Sequence, residues 1–225
     1  GVTAGDDRDG DLTVKVVTGG DEVDTAVLGV YNITYDVTDA AGNKAVQIVR
    51  KVTVVDTTAP LVVLNGASEV IVEGGEIYTD AGGTSTDSFD GDVTASITVD
   101  NPVNTSKLGD YLVTFTAKDV SNNQGAITRK VSVVDTTAPV ITLAGGASVT
   151  IASGSTFIDP GATAVDIIDG DVTSEIVADL TLVDTSKAGT YKVTYNVSDS
   201  SGNTAVELSR NVIVSADVIA PVITL

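Results

Sequence analysis

The sequence predicts an all-β protein made of β-sandwich domains in tandem. Three observations carry that expectation: a repeat of about 80 residues, two-residue alternation inside each repeat, and a composition of strand and turn formers. Helical periodicity is not evident in any segment.

The repeat comes first. VTVVDTTAP (52–60) returns as VSVVDTTAP (131–139) and, more loosely, as IVSADVIAP (213–221). GVYNITYDVTD (29–39), GDYLVTFTAKD (109–119) and GTYKVTYNVSD (189–199) keep the same period, as do DRDGDLT (7–13), SFDGDVT (88–94) and IIDGDVT (168–174). A unit opens at the TTAP linker and closes at the next Asp. The expected domains are 57–135 and 136–217, both complete, after a unit at 1–56 without its first strand. Residues 218–225 (VIAPVITL) then read as the opening strand of a following repeat.

Within a unit, Tyr191, Val193, Tyr195 and Val197 alternate with Lys192, Thr194, Asn196 and Ser198. One face of such a strand is apolar and belongs in the core. Tyr31, Ile33, Tyr35 and Val37 repeat the pattern, and so do Tyr111, Val113, Phe115 and Ala117. The tyrosines and phenylalanines are expected inside on this parity. In the next strand (45–55), Arg50 shares the parity of Val52 and Val54. An inward arginine is costly, so a bulge is expected near 49–51. Short strands separated by turn signals, with about 80 residues per unit, fit a seven-strand sandwich. Tyr31, Tyr111 and Tyr191 then stand where a tyrosine corner would be.

The composition agrees and excludes much chemistry. The 225 residues include no Cys, His, Met or Trp. Disulfides, thiolate and imidazole metal sites, and Ser-His-Asp catalysis are all excluded. Asp accounts for 25 of the 31 acids, and Asp collects in turns where Glu would favour helices. Against 12 Lys and Arg, the net charge is −19. Such a surface repels nucleic acid and attracts cations. A hydrophobic content of 42% is too high for a disordered acidic tail, and no apolar run approaches a membrane span.

The combination APVITL, DPGATAVDIIDGDVT, VDTSKAGTYKVTYNVSDSSGNTA and VIV resembles bacterial immunoglobulin-like repeats. It is most similar to the Ig-like domain of pesticidal crystal proteins and to hyalin-type repeats. The resemblance implies tandem immunoglobulin-like β-sandwich domains of secreted and cell-surface bacterial proteins, adhesins among them, or accessory modules beside enzymes. The middle repeat departs from the pattern. DVSNNQGA (119–126) replaces the D-x-x-G-N turn, and Asp80-Ala81 replaces Asp159-Pro160.

Loops of a sandwich alternate between its poles. The DGD loop, read as joining the second and third strands, and the D-x-x-G-N loop, joining the last two, should share the pole that faces the preceding domain. The preceding strand ends in Asp56 or Asp135, three residues before a Pro that fixes φ. One junction would gather Asp56, Asp87, Asp90, Asp92 and Asp119. The other would gather Asp135, Asp166, Asp169, Asp171 and Asp199. Converging carboxylates repel unless protonated or bridged by a cation, and flexible hard-oxygen loops suit Ca²⁺. The competing reading is a tight turn with solvated acids. An EF-hand is excluded, because Thr18 stands at the twelfth position of the Asp7 loop where Glu is required.

Other chemistry is weaker. Carboxylate pairs repeated in every unit argue against a glycosidase, and no enzyme is expected. The Gly pairs at 19–20, 74–75 and 145–146 lack the following helix of a phosphate cradle. Asn32, Asn104 and Asn196 head glycan-acceptor sequons, which arise by chance in Thr-rich strands. No Lys has the inward parity that an isopeptide staple needs. The sequence therefore points to an extracellular or cell-surface spacer, with neighbouring repeats as partners and Ca²⁺ as its ion, without nucleic-acid binding or membrane insertion. The alternatives are a glycan- or matrix-binding module, or a filament subunit that self-associates by donating the strand at 220–225.

Overall fold

The computed structural model describes residues 1–218 and 220–223, and among these every regular element is a strand or a single 3₁₀ turn. In the first repeat the strands are β1 (Gly5–Asp6), β2 (Gly10–Asp11), β3 (Val17–Gly20), β4 (Gly29–Asp36) and β5 (Ile48–Val54). The middle repeat carries β6 (Leu61–Leu64), β7 (Glu69–Glu73), β8 (Gly83–Asp87), β9 (Gly91–Asp92), β10 (Thr98–Asp100), β11 (Gly109–Lys118) and β12 (Gln124–Val134). The third follows with β13 (Val140–Leu143), β14 (Ser148–Ala152), β15 (Ala162–Asp166), β16 (Gly170–Asp171), β17 (Val177–Asp179), β18 (Gly189–Asn196) and β19 (Leu208–Ser215). The expected strand at 218–225 includes Ile219, Thr224 and Leu225, which lie outside the described residues.

The third repeat shows how a sandwich is closed. β13 pairs antiparallel with β15, in the sheet β13-β15-β16. After the left-handed turn at Gly145 (φ 80°), β14 crosses to the other sheet and pairs parallel with β19, in the order β14-β19-β18-β17. The seven strands thus form sheets of three and four. Because 148–152 is a strand of its own, the DGD turn follows the third strand of the repeat and not the second. The middle repeat uses the same switch, with β6 against β8 and β7 parallel to β12.

The chain forms two compact units, 1–65 with 82–99 and 115–127, and 66–81 with 100–114 and 128–225. The division runs through the middle repeat. Each Asp-Thr-Thr-Ala-Pro linker therefore lies inside a unit, packed with the loops that flank it.

The core follows the alternation. Val193, Tyr195, Val212 and Val214 are buried together, and Ile141, Leu143, Ile151 and Phe157 close around them. A second cluster of Ala164, Val172, Val197 and Ala205 fills the pole beside the DGD loop. The first aromatic of each β4-type strand makes the expected corner. Tyr31 donates to the Val27 carbonyl at 2.8 Å, Tyr111 to Lys107 at 2.8 Å and Tyr191 to Lys187 at 3.0 Å. Phe89 is the exception to inward aromatics. It sits in the DGD loop and stays 40% exposed.

The expected bulge is absent. The β4–β5 ladder runs unbroken from Gly29↔Val54 to Tyr35↔Ile48, and the β18–β19 ladder from Gly189↔Val214 to Tyr195↔Leu208. Arg50 keeps the parity of Val52 without a bulge and stays exposed, whereas its counterparts in the other two repeats go inward. Arg210 is fully buried and Arg129 is 1% exposed. Arg210 is affordable there because every side of its guanidinium finds an acceptor. Its Nε donates to the Gly146 carbonyl at 3.0 Å, and its terminal nitrogens donate to the Ala144 and Gly161 carbonyls and to Asp159. Those carbonyls flank the bend where the chain changes sheet. Tyr195 donates to the same Asp159 at 2.6 Å, and burial, then that bond, push its phenol up to about 12. In the middle repeat Asp80 pairs with Arg129 in the same way, although Ala81 has replaced the Pro.

Removing one partner of such a pair leaves a buried charge without compensation. Arg210→Met should therefore destabilise the third repeat by about 3 kcal/mol or more. Urea unfolding followed by circular dichroism measures this, and an unchanged midpoint would show that the pair is dispensable.

Candidate metal centres

Each junction is built from a last strand, a linker and two loops. In the first, Asp56 ends the segment after β5, and its Oδ1 accepts the Thr58 N–H at 3.0 Å. The DGD loop folds on Asp87, whose Oδ1 accepts the N–H groups of Phe89 at 2.7 Å and Asp90 at 3.1 Å. Asp90 reaches across to the neighbouring loop and accepts the Val120 N–H at 2.9 Å. Asp119 opens that loop and accepts from the Asn123 N–H at 2.7 Å and side-chain amide at 2.6 Å. The same amide donates to the Asp56 carbonyl at 3.2 Å. It joins residues 67 apart in sequence and brings the strand end to the loops.

The result is a convergence of carboxylates. Oxygens of Asp56, Asp87, Asp90 and Asp119 lie within 4.8 Å of one another, and those of Asp135, Asp166 and Asp169 do likewise at the second junction. Asp87 is 7% and Asp166 5% exposed. Their Oδ2 atoms, and those of Asp56 and Asp135, are buried without a hydrogen-bond partner. Buried acceptors are nearly always satisfied, so these four oxygens are exceptional. The donor set is all oxygen, as hard divalent cations require.

Three expected ligands stand elsewhere. Asp92 and Asp171 are exposed and face the start of the 3₁₀ turn, where their Oδ1 atoms accept the Thr94 and Thr173 N–H groups, each at 2.9 Å. The Thr hydroxyls and then these N–H groups hold both carboxyls below the usual range. Asp199 repeats the Asp119 turn, with Asn203 donating to it and to the Asp135 carbonyl, yet it stays outside the cluster of three.

The altered loop of the middle repeat keeps its geometry. Asn122 stands at φ 68° where Gly42 and Gly202 have 91° and 90°. Asn tolerates the left-handed region, and the 119→123 bonds match those of 39→43 and 199→203. In the first repeat, Asp6, Asp9 and Asp39 occupy the corresponding loop positions, with Asp9 accepting the Ala40 N–H at 2.7 Å.

Sequence reasoning missed Asn123, Asn203 and Glu73. The asparagine was legible as the last letter of D-x-x-G-N, without a sign that it binds backwards. Glu73 clamps the second linker. Its carboxylate accepts the Thr136 N–H at 2.7 Å and the hydroxyls of Thr136 and Thr137 at 2.8 Å each, and these bonds hold it below the usual range. Beside it, Gly74 and Gly75 leave space that Ile168 and Ile167 fill.

Comparison with known proteins places these loops in context. The family model described as bacterial surface protein, Ig-like domain, matches three times, at 1–54, 62–133 and 141–214. An uncharacterised 81.3 kDa protein of Acholeplasma phage L2 is 32% identical over 218 residues, and the pesticidal crystal protein Cry22Aa of Bacillus thuringiensis is 33% identical over 214. Both alignments cover 90% of this chain, which spans 28% of either relative. Among solved structures, the M60 catalytic domain with two CBM51 domains from Clostridium perfringens ZmpB is similar at TM-score 0.41. It shares 16% identity, over 85% of this chain and 34% of that one. The protocadherin GammaB4 extracellular domain aligns at TM-score 0.35 and 13% identity, over 89% and 44%. Among the described residues no helix is long and apolar enough to cross a membrane.

The held carboxylates set the acid response. Asp39 is lowered first by the Asn43 amide, Asp87 by the Phe89 N–H and Asp169 by the Ser200 N–H. A depressed pKa contributes stability above the unfolded value, near 3.8 for Asp, and that contribution is lost as pH falls through the folded value. In chelator, the melting temperature should hold from about pH 7 to pH 5 and fall below about pH 4. A flat profile down to about pH 3 would contradict this linkage.

Proposed function

We propose that this chain, which belongs to the bacterial surface protein Ig-like domain family, is a spacer segment of a secreted or cell-surface protein, stiffened by Ca²⁺ at its junctions. One observation carries the reading. At both junctions, buried carboxylate oxygens without partners converge on the last residue of the preceding repeat. Asp56, Asp87, Asp90 and Asp119 would hold one ion, and Asp135, Asp166 and Asp169 the other. When bound, Ca²⁺ supplies the positive charge that lets these carboxylates stay together and locks linker to loop.

The remaining features support a spacing role. The repeated acidic loops are engaged in holding turns and linkers. Among the described residues Phe89 is the one exposed aromatic that could stack on a sugar. Each linker is short and fixed at Pro60 or Pro139, and the second is hydrogen-bonded to the repeats on both sides, through Glu73 and Asn203. Mechanical continuity follows from that arrangement.

The test is thermal unfolding with millimolar Ca²⁺ and with chelator. An ion that binds only the folded state at a hundred times its Kd stabilises it by about 2.7 kcal/mol. Calcium should raise the melting temperature, and Asp87→Asn together with Asp166→Asn should abolish the rise. Identical melting curves in calcium and chelator would refute the ion sites. Binding of the chain to a glycan array would favour an accessory binding module over a spacer.

A further inference from the structure

The two junctions are not equivalent, and the difference lies in one side chain. Resting on the calcium reading above, we propose that the junctions take up Ca²⁺ in a fixed order, the first before the second, with the Ser200 hydroxyl setting the gap. In each repeat the residue after the loop Asp donates its N–H to the central carboxylate of the DGD loop. Ala40 donates to Asp9 at 2.7 Å, Val120 to Asp90 at 2.9 Å and Ser200 to Asp169 at 2.6 Å. Ala40 and Val120 have no further donor to offer. Ser200 has one, and its hydroxyl donates to the other oxygen, Asp169 Oδ1, at 2.8 Å.

The consequence for an ion is direct. At the first junction the Asp90 carboxylate, whose Oδ1 accepts no hydrogen bond, clusters with those of Asp56 and Asp87, each with an unpartnered Oδ2, and Asp119, held by Asn123, adds a fourth carboxylate. At the second junction both oxygens of Asp169 already accept hydrogen bonds, and Asp199 does not join the cluster. An ion there must displace or share the Ser200 hydroxyl and gains one carboxylate fewer. Calcium affinity in oxygen sites is tuned by the number of charged ligands and by how freely they can turn. Both factors favour the first junction.

The weaker site also meets a linker with a hold of its own. The second linker is held by Glu73 through Thr136 and Thr137 without any ion. The weaker site reinforces a linker that is already clamped.

Isothermal titration of the 225-residue chain with CaCl₂ tests the order. Two resolved steps are expected, with Asp87→Asn removing the tighter and Asp166→Asn the weaker. Ser200→Ala should tighten the weaker step by roughly threefold to tenfold, the net worth of one ordinary solvent-exposed hydrogen bond. Val120→Ser, at a position 80% exposed, should weaken the tighter step by a similar factor. Both substitutions are at exposed positions, and unchanged melting in chelator verifies the fold. Equal affinities at two sites, or a weak step that Ser200→Ala leaves in place, would overturn the order while leaving the calcium reading intact. No binding at either site would overturn both.

Discussion

One side-chain amide ties each junction together. Asn123 and Asn203 donate at once to the carboxylate that opens their own loop and to the carbonyl of the last residue of the preceding repeat. Without that second bond, Asp56 and Asp135 would end a strand and point to solvent. With it, their carboxylates join those of the DGD loop, each keeping one oxygen, Oδ2, without a donor. The turn conformation is prerequisite, and it survives the change from Gly to Asn at position 122 because Asn can enter the left-handed region. Loop chemistry, linker geometry and charge convergence are therefore one arrangement.

A second constraint lies at the opposite end of each sandwich core. Arg129 and Arg210 fill the space where the chain leaves one sheet for the other, and they donate to the Ala67, Ala144 and Gly146 carbonyls at that bend. A bend in backbone exposes acceptors, and a guanidinium offers five donors in a planar fork. Asp80 or Asp159, partly buried, completes the charge balance. The sandwich can switch sheets within a few residues because this cluster stands in for the missing ladder bonds.

Most of the fold was legible in the sequence, and the reason is physical. Alternation at Tyr191–Val197 reports burial directly, since a strand has only two faces. The period exposed the repeats, and the resemblance named their architecture. The bulge at Arg50 was a misreading because parity arguments treat charge as excluded from the core; Arg50 stays exposed on an unbroken ladder, and its counterpart Arg210 is buried against acceptors at 144, 146, 159 and 161 that are distant in sequence. The junction acids were only partly legible. D-G-D spacing does not tell which carboxylate faces the linker and which, like Asp92 and Asp171, caps the following turn. Ser200 looked like one more polar loop residue, since its role depends on the reach of Asp169 from another loop.

The fit of Gly74 against Ile168 has a consequence for how such arrays can be assembled. A Cβ at position 74 would stand 2.5 Å from Ile168 Cδ1 and 2.6 Å from its Cγ1. The matching position in the third repeat is Ser153, which carries that Cβ, and the matching residue to Ile168 in the middle repeat is Phe89. Two copies of the third repeat set in series could not reproduce this joint without moving one side or the other. The repeats share a fold but have complementary ends, so their succession along the chain is written into the shapes of adjoining turns, and duplication or shuffling of a single repeat would need a compensating change in its neighbour.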